Sequence, residues 1–203
     1  MISFSTFIVH SHEITADGEP RNEYKPRLDR AIELLKSDIQ QNAVVLLTWG
    51  KATQWVDIRH CDAGKLYLEK WWIDSSRIHI ERDPHGSLET VYEAISAFVN
   101  HENILRETDA IHLISSDYHK RRIMEIQKFV LWEAALISKL RFVGIDKSLH
   151  GNPRTQEAEE WSLQAFQRTF EGIQAWDIPA IQERLWKRHP VYKDHPSNPY
   201  KTY

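Results

Sequence analysis

The sequence predicts an α/β protein folded as a three-layer α/β/α sandwich around a mostly parallel sheet. Short apolar runs of strand length recur along the chain, and segments with helically spaced apolar residues separate them. Continuous apolar runs are typical of strands that are buried on both faces. Strands that alternate with helices form βαβ units with right-handed crossovers, which place helices on both faces of the sheet.

Five apolar runs are the predicted strands, at residues 7–10, 43–47, 77–81, 110–115 and 140–145. The helices predicted between them cover residues 26–40, 61–72, 87–101 and 117–134. The first helix has Pro26 near its start, where proline is favoured, and an apolar face formed by Leu28, Ala31, Ile32 and Leu35. We expect Trp71 and Trp72, at the end of the second helix, in the core and at its rim.

The pattern changes near Arg154. One long amphipathic helix is predicted over residues 155–176, a shorter helix over residues 178–189, and a polar, proline-rich tail after them. We therefore divide the chain into an α/β domain over residues 1–153 and a helical extension with a tail over residues 154–203. We expect the extension to pack on the same domain.

The composition restricts the kinds of partner. A formal net charge of -3 gives no broad attraction to nucleic acid or to an anionic membrane. No apolar run approaches about 18 residues, so we expect no membrane span, and the N-terminus lacks a signal-peptide pattern. The single cysteine, Cys61, fits a reducing compartment. We expect a cytoplasmic protein with a small-molecule ligand, and the sequence leaves a homo-oligomer open.

The candidate site follows from the parallel sheet, because ligands bind beyond the carboxyl ends of such strands, where the strand order reverses. Polar residues follow each of the first four strands. After the first three come His10, Ser11, His12 and Glu13; Thr48, Trp49, Gly50 and Lys51; and Glu81, Arg82, Asp83, His85, Gly86 and Ser87. After the fourth come Ser115, Ser116, Asp117, Tyr118 and His119, with Arg121 and Arg122 in the next helix.

Two interpretations of the fourth strand end stay open on the residues alone. Residues 115–117 can cap the following helix through the free amides of its first turn. The same helix N-terminus attracts anions, and a nearby arginine can bind phosphate or carboxylate with two parallel hydrogen bonds. Lys51, which follows Gly50, could serve an anion in the same way.

Metal and thiol chemistry have less support. His10 and His12 share a face of the first strand end and could chelate a metal with His85 or His119, but no HExxH or Cys/His pattern accompanies them. We expect no metal and keep His10 and His12 as the candidates. Cys61 lies beside His60, yet sequence neighbours rarely align as nucleophile and base, so we expect a structural cysteine.

The fourth strand end also carries a family resemblance. The sequence SSDYHKRR, residues 115–122, resembles the Thr-Ser-x-Tyr-His-x-x-Arg motif of the YdcF/SanA/ElyC-like family, the domain of unknown function 218. Ser116, Tyr118, His119 and Arg122 match, and Ser115 replaces Thr. Further matches lie in the same order within residues 7–146: Arg27, Leu28 and Ala31; Gly50; and Glu81 and Thr90. Thr48 stands at a serine of the family pattern, and Asp62 keeps an acid where the family has glutamate.

The sequence also departs from the family pattern. His10 and His12 stand at the first strand end, where the family has glycines that let a ligand approach the backbone, and Glu93 stands where Asn is usual. The resemblance implies a Rossmann-like domain similar to the HUP nucleotide-binding proteins, with a small-molecule site at the strand ends. It suggests a nucleotide or S-adenosylmethionine as ligand and a link to cell-envelope metabolism.

Taken together, these residues predict an enzyme acting on a phosphorylated or nucleotide-like small molecule, as a hydrolase or a group-transfer enzyme. His119 would be the general acid or base, and Glu81 or Asp62 would orient it or activate a water. The expected ligand-binding residues are Arg27, Thr48, Gly50, Lys51, Ser87, Thr90, Ser115, Ser116, Tyr118 and Arg122. The alternatives are a non-catalytic nucleotide or S-adenosylmethionine binding protein, and an envelope-assembly partner that uses the C-terminal helices.

Overall fold

The structure is a computed structural model that describes residues 4–11, 14–38, 42–48, 58–81, 90–131, 133–145 and 152–188. The strands are β1 (Ser5–Val9), β2 (Val44–Leu47), β3 (Ile78–Ile80), β4 (Ala110–Ser116) and β5 (Leu140–Ile145). They form a five-stranded, all-parallel sheet in the order β3-β2-β1-β4-β5. The predicted α/β sandwich with a parallel sheet is confirmed, and the order is Rossmann-like, reversing between β1 and β4.

The helices are α1 (Tyr24–Ser37), α2 (His60–Lys70), α3 (Thr90–Glu107), α4 (Lys120–Leu131), α5 (Ala134–Lys139), α6 (Pro153–Thr169) and α7 (Ile178–Arg188). Two short 3₁₀ turns, Ser75–Arg77 and Asp117–His119, lead into β3 and α4. Among these residues, no helix combines the length and the apolar composition that a bilayer crossing requires.

The sheet is buried on both faces, which explains why its strands are apolar runs without alternation. On one face, Phe7 and Val9 of β1 pack with α1 and α2. On the other face, Ile8 packs with Leu46 and with residues of α4 and α5. A third cluster joins α3 and α4 to α7, where Trp186 is buried. The apolar face of α7 is therefore used within the chain.

Two helices end earlier than their apolar patterns predict. The predicted helix 117–134 divides into the Asp117–His119 turn, α4 and α5, because β4 runs to Ser116 and its carboxyl end turns tightly into α4. The predicted helix 155–176 ends at Thr169, and Gly172 follows at φ +77°, a left-handed conformation that glycine adopts without strain.

The end of α2 corrects the prediction for its two tryptophans. Trp71 and Trp72 are both exposed, Trp72 by 91%. Trp72 occupies the left-handed position after the helix (φ 65°), and the amides of Trp72 and Ile73 donate to the carbonyls of Glu69 and Leu68. This Schellman arrangement buries Ile73 against the core and leaves Trp72 in solvent. Glycine is the usual residue at the position that Trp72 occupies.

Gly64 is required by the packing of α2 on α1. A Cβ at this position would lie 2.2 Å from Oη of Tyr24, a fully buried side chain whose hydroxyl donates to the His60 carbonyl at 3.0 Å. We predict that Gly64→Ala lowers the free energy of unfolding by about 1–3 kcal/mol, because overpacking displaces a satisfied tyrosine. Urea denaturation measures the change. Leu66→Ala, on the exposed face of α2, is the control and should change stability by less than about 0.5 kcal/mol. Equal effects of the two substitutions would contradict the prediction.

Candidate functional site

The carboxyl ends of β1 and β4 meet where the strand order reverses, which is the position of a ligand crevice in sheets of this kind. Here the crevice contains the side chain of Arg27, which comes from α1 and is 1% exposed. Its guanidinium donates to the backbone carbonyls of His10 at 2.9 Å and Ser11 at 3.2 Å, directly after β1. Arg27 therefore ties the start of α1 to the end of the central strand.

A buried carboxylate completes the contacts of Arg27. Glu23, one helical turn earlier, accepts from Arg27 at 2.7 Å and from the Ser116 hydroxyl at 2.6 Å. Arg27 also donates to Oγ of Ser116 at 2.9 Å, and the Tyr118 hydroxyl donates to the other oxygen of Glu23. Burial and the Glu23 carboxylate raise the pKa of Tyr118, so the phenol stays protonated and can donate. We call Glu23, Arg27, Ser116 and Tyr118 the Arg27 network.

A second polar group adjoins the Arg27 network, because the rings of Tyr118 and His119 lie 4.2 Å apart between centroids. Nδ1 of His119 lies 2.9 Å from Oε1 of Glu159, a residue of α6. Arg122 donates to both oxygens of the same carboxylate, at 2.9 Å from Nε and 3.2 Å from a terminal nitrogen. We call His119, Arg122 and Glu159 the His119 cluster.

The protonation of the His119 cluster follows from its contacts. Burial would raise the pKa of Glu159, but hydrogen bonds from His119 and Arg122 outweigh it and hold that pKa at about 2. An ionised oxygen 2.9 Å from Nδ1 is attractive only if Nδ1 carries the proton. A terminal nitrogen of Arg122 also lies 3.0 Å from Nδ1. We assign the proton to Nδ1, which donates it to Glu159. Arg122 already donates to this carboxylate, so its terminal nitrogen need not donate to Nδ1.

His119 is therefore a neutral imidazole near pH 7. Burial lowers its pKa below the ordinary value, and the hydrogen bond to Glu159 offsets this lowering only in part. The polar contacts of the ring with described residues are made by Nδ1, which leaves Nε2 as the nitrogen that can accept a proton. A carboxylate on Nδ1 and an unprotonated Nε2 are the arrangement of a general base.

A cavity of about 560 Å³ lies between α4 and α6, beside the His119 cluster. Tyr118, Arg122 and Glu159 are part of its lining, and Met124 and Leu163 give it an apolar portion. Lys120 and Arg121, at the start of α4, also line it. The cavity is large enough for a small organic ligand.

Other predicted site residues have mainly structural contacts. Thr48, at the end of β2, donates to the Val9 carbonyl at 3.2 Å and accepts from the Ser11 amide at 3.4 Å. Ser115 is fully buried, and its hydroxyl has no hydrogen-bond partner among the described residues. Thr90 is the first residue of α3. Four predicted residues lie outside the described residues: His12, Gly50, Lys51 and Ser87.

The structure does not bring Glu81 to His119. β3 and β4 are three strand spacings apart, roughly 14 Å. The Glu81 carboxylate instead contacts two residues of α3. It accepts a hydrogen bond from the Asn100 side-chain amide at 2.7 Å, and it is in contact with Nε2 of His101. His101 has non-helical backbone angles, so α3 kinks where its ring reaches Glu81. A separate cavity of about 490 Å³ adjoins this pair.

Three candidates remain: Asp62 and Cys61 in α2, and His10 at the end of β1. Asp62 lies in the first turn of α2, after β2, and β1 separates β2 from β4. Cys61 is fully buried in the core, as expected for a structural cysteine. His10 is buried at the end of β1. Within the described part of the chain, no three His, Cys, Asp or Glu side chains group in a way that could hold a metal ion.

Two site residues were not predicted, Glu23 and Glu159. Glu23 precedes Arg27 by four residues, and that spacing is a recognised signal for an ion pair on one helical face. Glu159 has no such signal, because it is one of three glutamates in the stretch TQEAEEW and its partners come from a different element. Only the packing of α6 on α4 distinguishes it.

The Arg27 network predicts a large stability effect. Arg27→Met should lower the free energy of unfolding by about 3–5 kcal/mol, because it leaves the Glu23 charge buried without its cation. Arg30→Met is the matched control: Arg30 also pairs with a glutamate of α1, but both side chains are exposed, and we expect less than about 1 kcal/mol. Chemical denaturation of both variants is the measurement. Similar losses would show that Arg27 is not an essential part of the fold.

The pKa of Glu159 predicts a pH dependence of stability. A carboxyl held at about 2 in the folded chain stabilises it at every pH above its ordinary value of 4.5, and this contribution is lost as the pH falls towards 2. Glu159→Gln should therefore cost about 1–3 kcal/mol at pH 7, and the difference from wild type should shrink below pH 4.5. Glu160→Gln removes a neighbouring but exposed partner of Arg121 and should show almost no difference at either pH. A pH-independent cost of Glu159→Gln would contradict the assignment.

Comparison with protein families and with curated proteins identifies no relative of this chain. No protein-family model matches the chain, and no curated protein matches it significantly. The features that bear on function are therefore the Arg27 network, the His119 cluster and the adjoining cavity.

Proposed function

We propose that the protein is a small-molecule enzyme in which His119 acts as general acid or base at the carboxyl end of β4. The observation that supports the proposal most is the contact between Nδ1 of His119 and Glu159, beside a cavity of about 560 Å³. A carboxylate on Nδ1 fixes the ring and its tautomer, and a lowered pKa keeps Nε2 unprotonated near pH 7. These are the properties of a base that accepts a proton from a water or a hydroxyl.

The neighbouring residues have supporting roles in the proposal. Glu159 orients the ring and stabilises the imidazolium that forms when Nε2 takes the proton. Arg122 holds the Glu159 carboxylate in place with two hydrogen bonds. Tyr118 lines the cavity, and its hydroxyl is tied to Glu23, so the Arg27 network fixes the turn that carries His119.

For the substrate we propose a phosphorylated or nucleotide-like molecule, and for the reaction a hydrolysis or group transfer. Lys120, at the start of α4, supports an anionic group, because this cation lines the cavity, whereas Arg121 there is paired with Glu160. The resemblance to the YdcF/SanA/ElyC-like family supports the same ligand class, with S-adenosylmethionine as a further member. In the reaction, Nε2 would accept the proton of the attacking water or hydroxyl and return it to the leaving group.

A second candidate is a binding protein without turnover. Its support is the pairing of both candidate anion-binding arginines inside the chain: Arg27 with Glu23, and Arg122 with Glu159. In this case the polar groups would hold the architecture at the end of β4, and the cavity would bind a nucleotide or S-adenosylmethionine unchanged.

One experiment separates the two candidates. A thermal-shift panel of nucleotides, S-adenosylmethionine and sugar phosphates identifies a ligand, which at about 100 times its dissociation constant should stabilise the fold by roughly 2.7 kcal/mol. Turnover of that ligand is then measured for His119→Gln. We expect a loss of about 10²- to 10⁴-fold in kcat, the usual contribution of a general base, with binding nearly unchanged.

The matched control is His101→Gln, because His101 is a second histidine of the described chain that contacts a glutamate, Glu81. It should leave turnover close to wild type. Loss of turnover in His101→Gln but not in His119→Gln would place the reaction at β3. Binding of a ligand without any turnover, together with unchanged binding by His119→Gln, would favour the non-catalytic candidate.

A further inference from the structure

The first three turns of α6 are attached to the domain differently from the rest of that helix. No residue among 153–162 is buried, and Leu163 is the first buried residue of α6. After Leu163 the helix joins the core, where the rings of Phe166 and Phe170 pack against Phe129. We call residues 153–162 the α6 cover.

The α6 cover is held on the rest of the described chain by two acidic residues. Glu159 contacts His119 and Arg122, and Glu160 contacts Arg121 at 2.5 Å. Trp161, the next residue, is 66% exposed. The cavity of about 560 Å³ lies beneath the cover. Much of the cover is therefore separated from α4 by a space and not by packed side chains.

The cover begins at a well-defined helix start. The side chain of Asn152 accepts from the Arg154 amide at 3.0 Å, and Pro153 occupies the first helical position. Both features favour helix formation without help from other elements. Opening would unwind the segment from this end towards Leu163 and break its backbone hydrogen bonds, and the same two features would let the helix form again on closure.

Opening would break the contacts of Glu159 with His119 and Arg122, which account for most of its cost, and it would change the site. Exposed ion pairs such as Arg121–Glu160 contribute little to stability, and segments with few buried apolar contacts open most readily. When the cover leaves, Nδ1 of His119 and the guanidinium of Arg122 both lose their contacts with the Glu159 carboxylate. The same movement would uncover the cavity.

We propose that residues 153–162 form a cover over the β4 site and that its closure positions Glu159 on His119. The inference rests on the proposed function, since it makes Glu159 a positioning residue for the base. An open cover admits the ligand. A closed cover completes the base, so that the reactive state forms only over an enclosed ligand.

The test is amide hydrogen exchange of the full chain, followed by mass spectrometry. Amides of residues 157–162, which lie beyond the first helical turn, should exchange faster than those of residues 163–169. Arg121→Gln should accelerate exchange in the cover by about two- to fivefold, the effect of losing one exposed ion pair, and should not change residues 163–169. The charge-reversed pair, Arg121→Glu with Glu160→Arg, should restore the wild-type rate.

Arg30→Gln breaks an exposed ion pair with Glu33 on α1 and serves as the control, without effect on the cover. Equal exchange rates along the whole of α6, or no response to Arg121→Gln, would overturn the proposed cover.

The positioning role of Glu159 has its own spectroscopic test. The ¹⁵N resonances of the His119 ring should report a protonated Nδ1 in the wild type. In Glu159→Ala the Nδ1 resonance should move towards that of an unprotonated nitrogen, and unchanged resonances would overturn the role. Neither readout needs a substrate. Absence of turnover would therefore contradict the proposed enzymatic function. It would not contradict the proposed cover or the positioning of His119, which are tested by exchange and by NMR.

Discussion

The structure around the candidate site depends on one constraint: a guanidinium that is buried must be paired and must have its hydrogen bonds satisfied. The two terminal nitrogens of Arg27 have partners from three parts of the chain, the start of α1, the backbone after β1 and the end of β4. Tyr118 joins the same carboxylate, and this fixes the turn between β4 and α4. The position of His119 is a consequence, because it is the last residue of that turn.

The same pairing affects what the site can recognise. Glu23 neutralises Arg27, and Glu159 neutralises Arg122, so the end of β4 has little net charge although it is rich in ionisable groups. An anionic ligand would therefore be attracted by Lys120 rather than by Arg27. This arrangement differs from a phosphate-binding loop, in which backbone and cation are both free for the ligand.

The sequence was sufficient for the sheet and for part of the site. Apolar runs identified the five strands of the described sheet because both of its faces are covered. The rule for strand ends selected residues 115–119 with Arg121 and Arg122, and the family resemblance singled out Ser116, Tyr118, His119 and Arg122 among them. These four lie together. The function of Arg27 was not predictable, because burial of an arginine depends on its distant partners. Glu81 was assigned to His119 since both follow strands, but the strand order places them at different positions of the sheet. Glu159 joins the site through helix packing alone, which leaves no periodic signal.

The sequence separation within the Arg27 network also bears on how the chain folds. Arg27 and its partner Ser116 are 89 residues apart, and the central strand β1 gains its second neighbour only when β4 is present. During synthesis, α1 and the first three strands would expose an unsatisfied sheet edge and a charge that cannot yet be buried. Contacts of such long range make folding slow and late. We therefore expect the sheet and its polar centre to form in one cooperative step after β4 has left the ribosome.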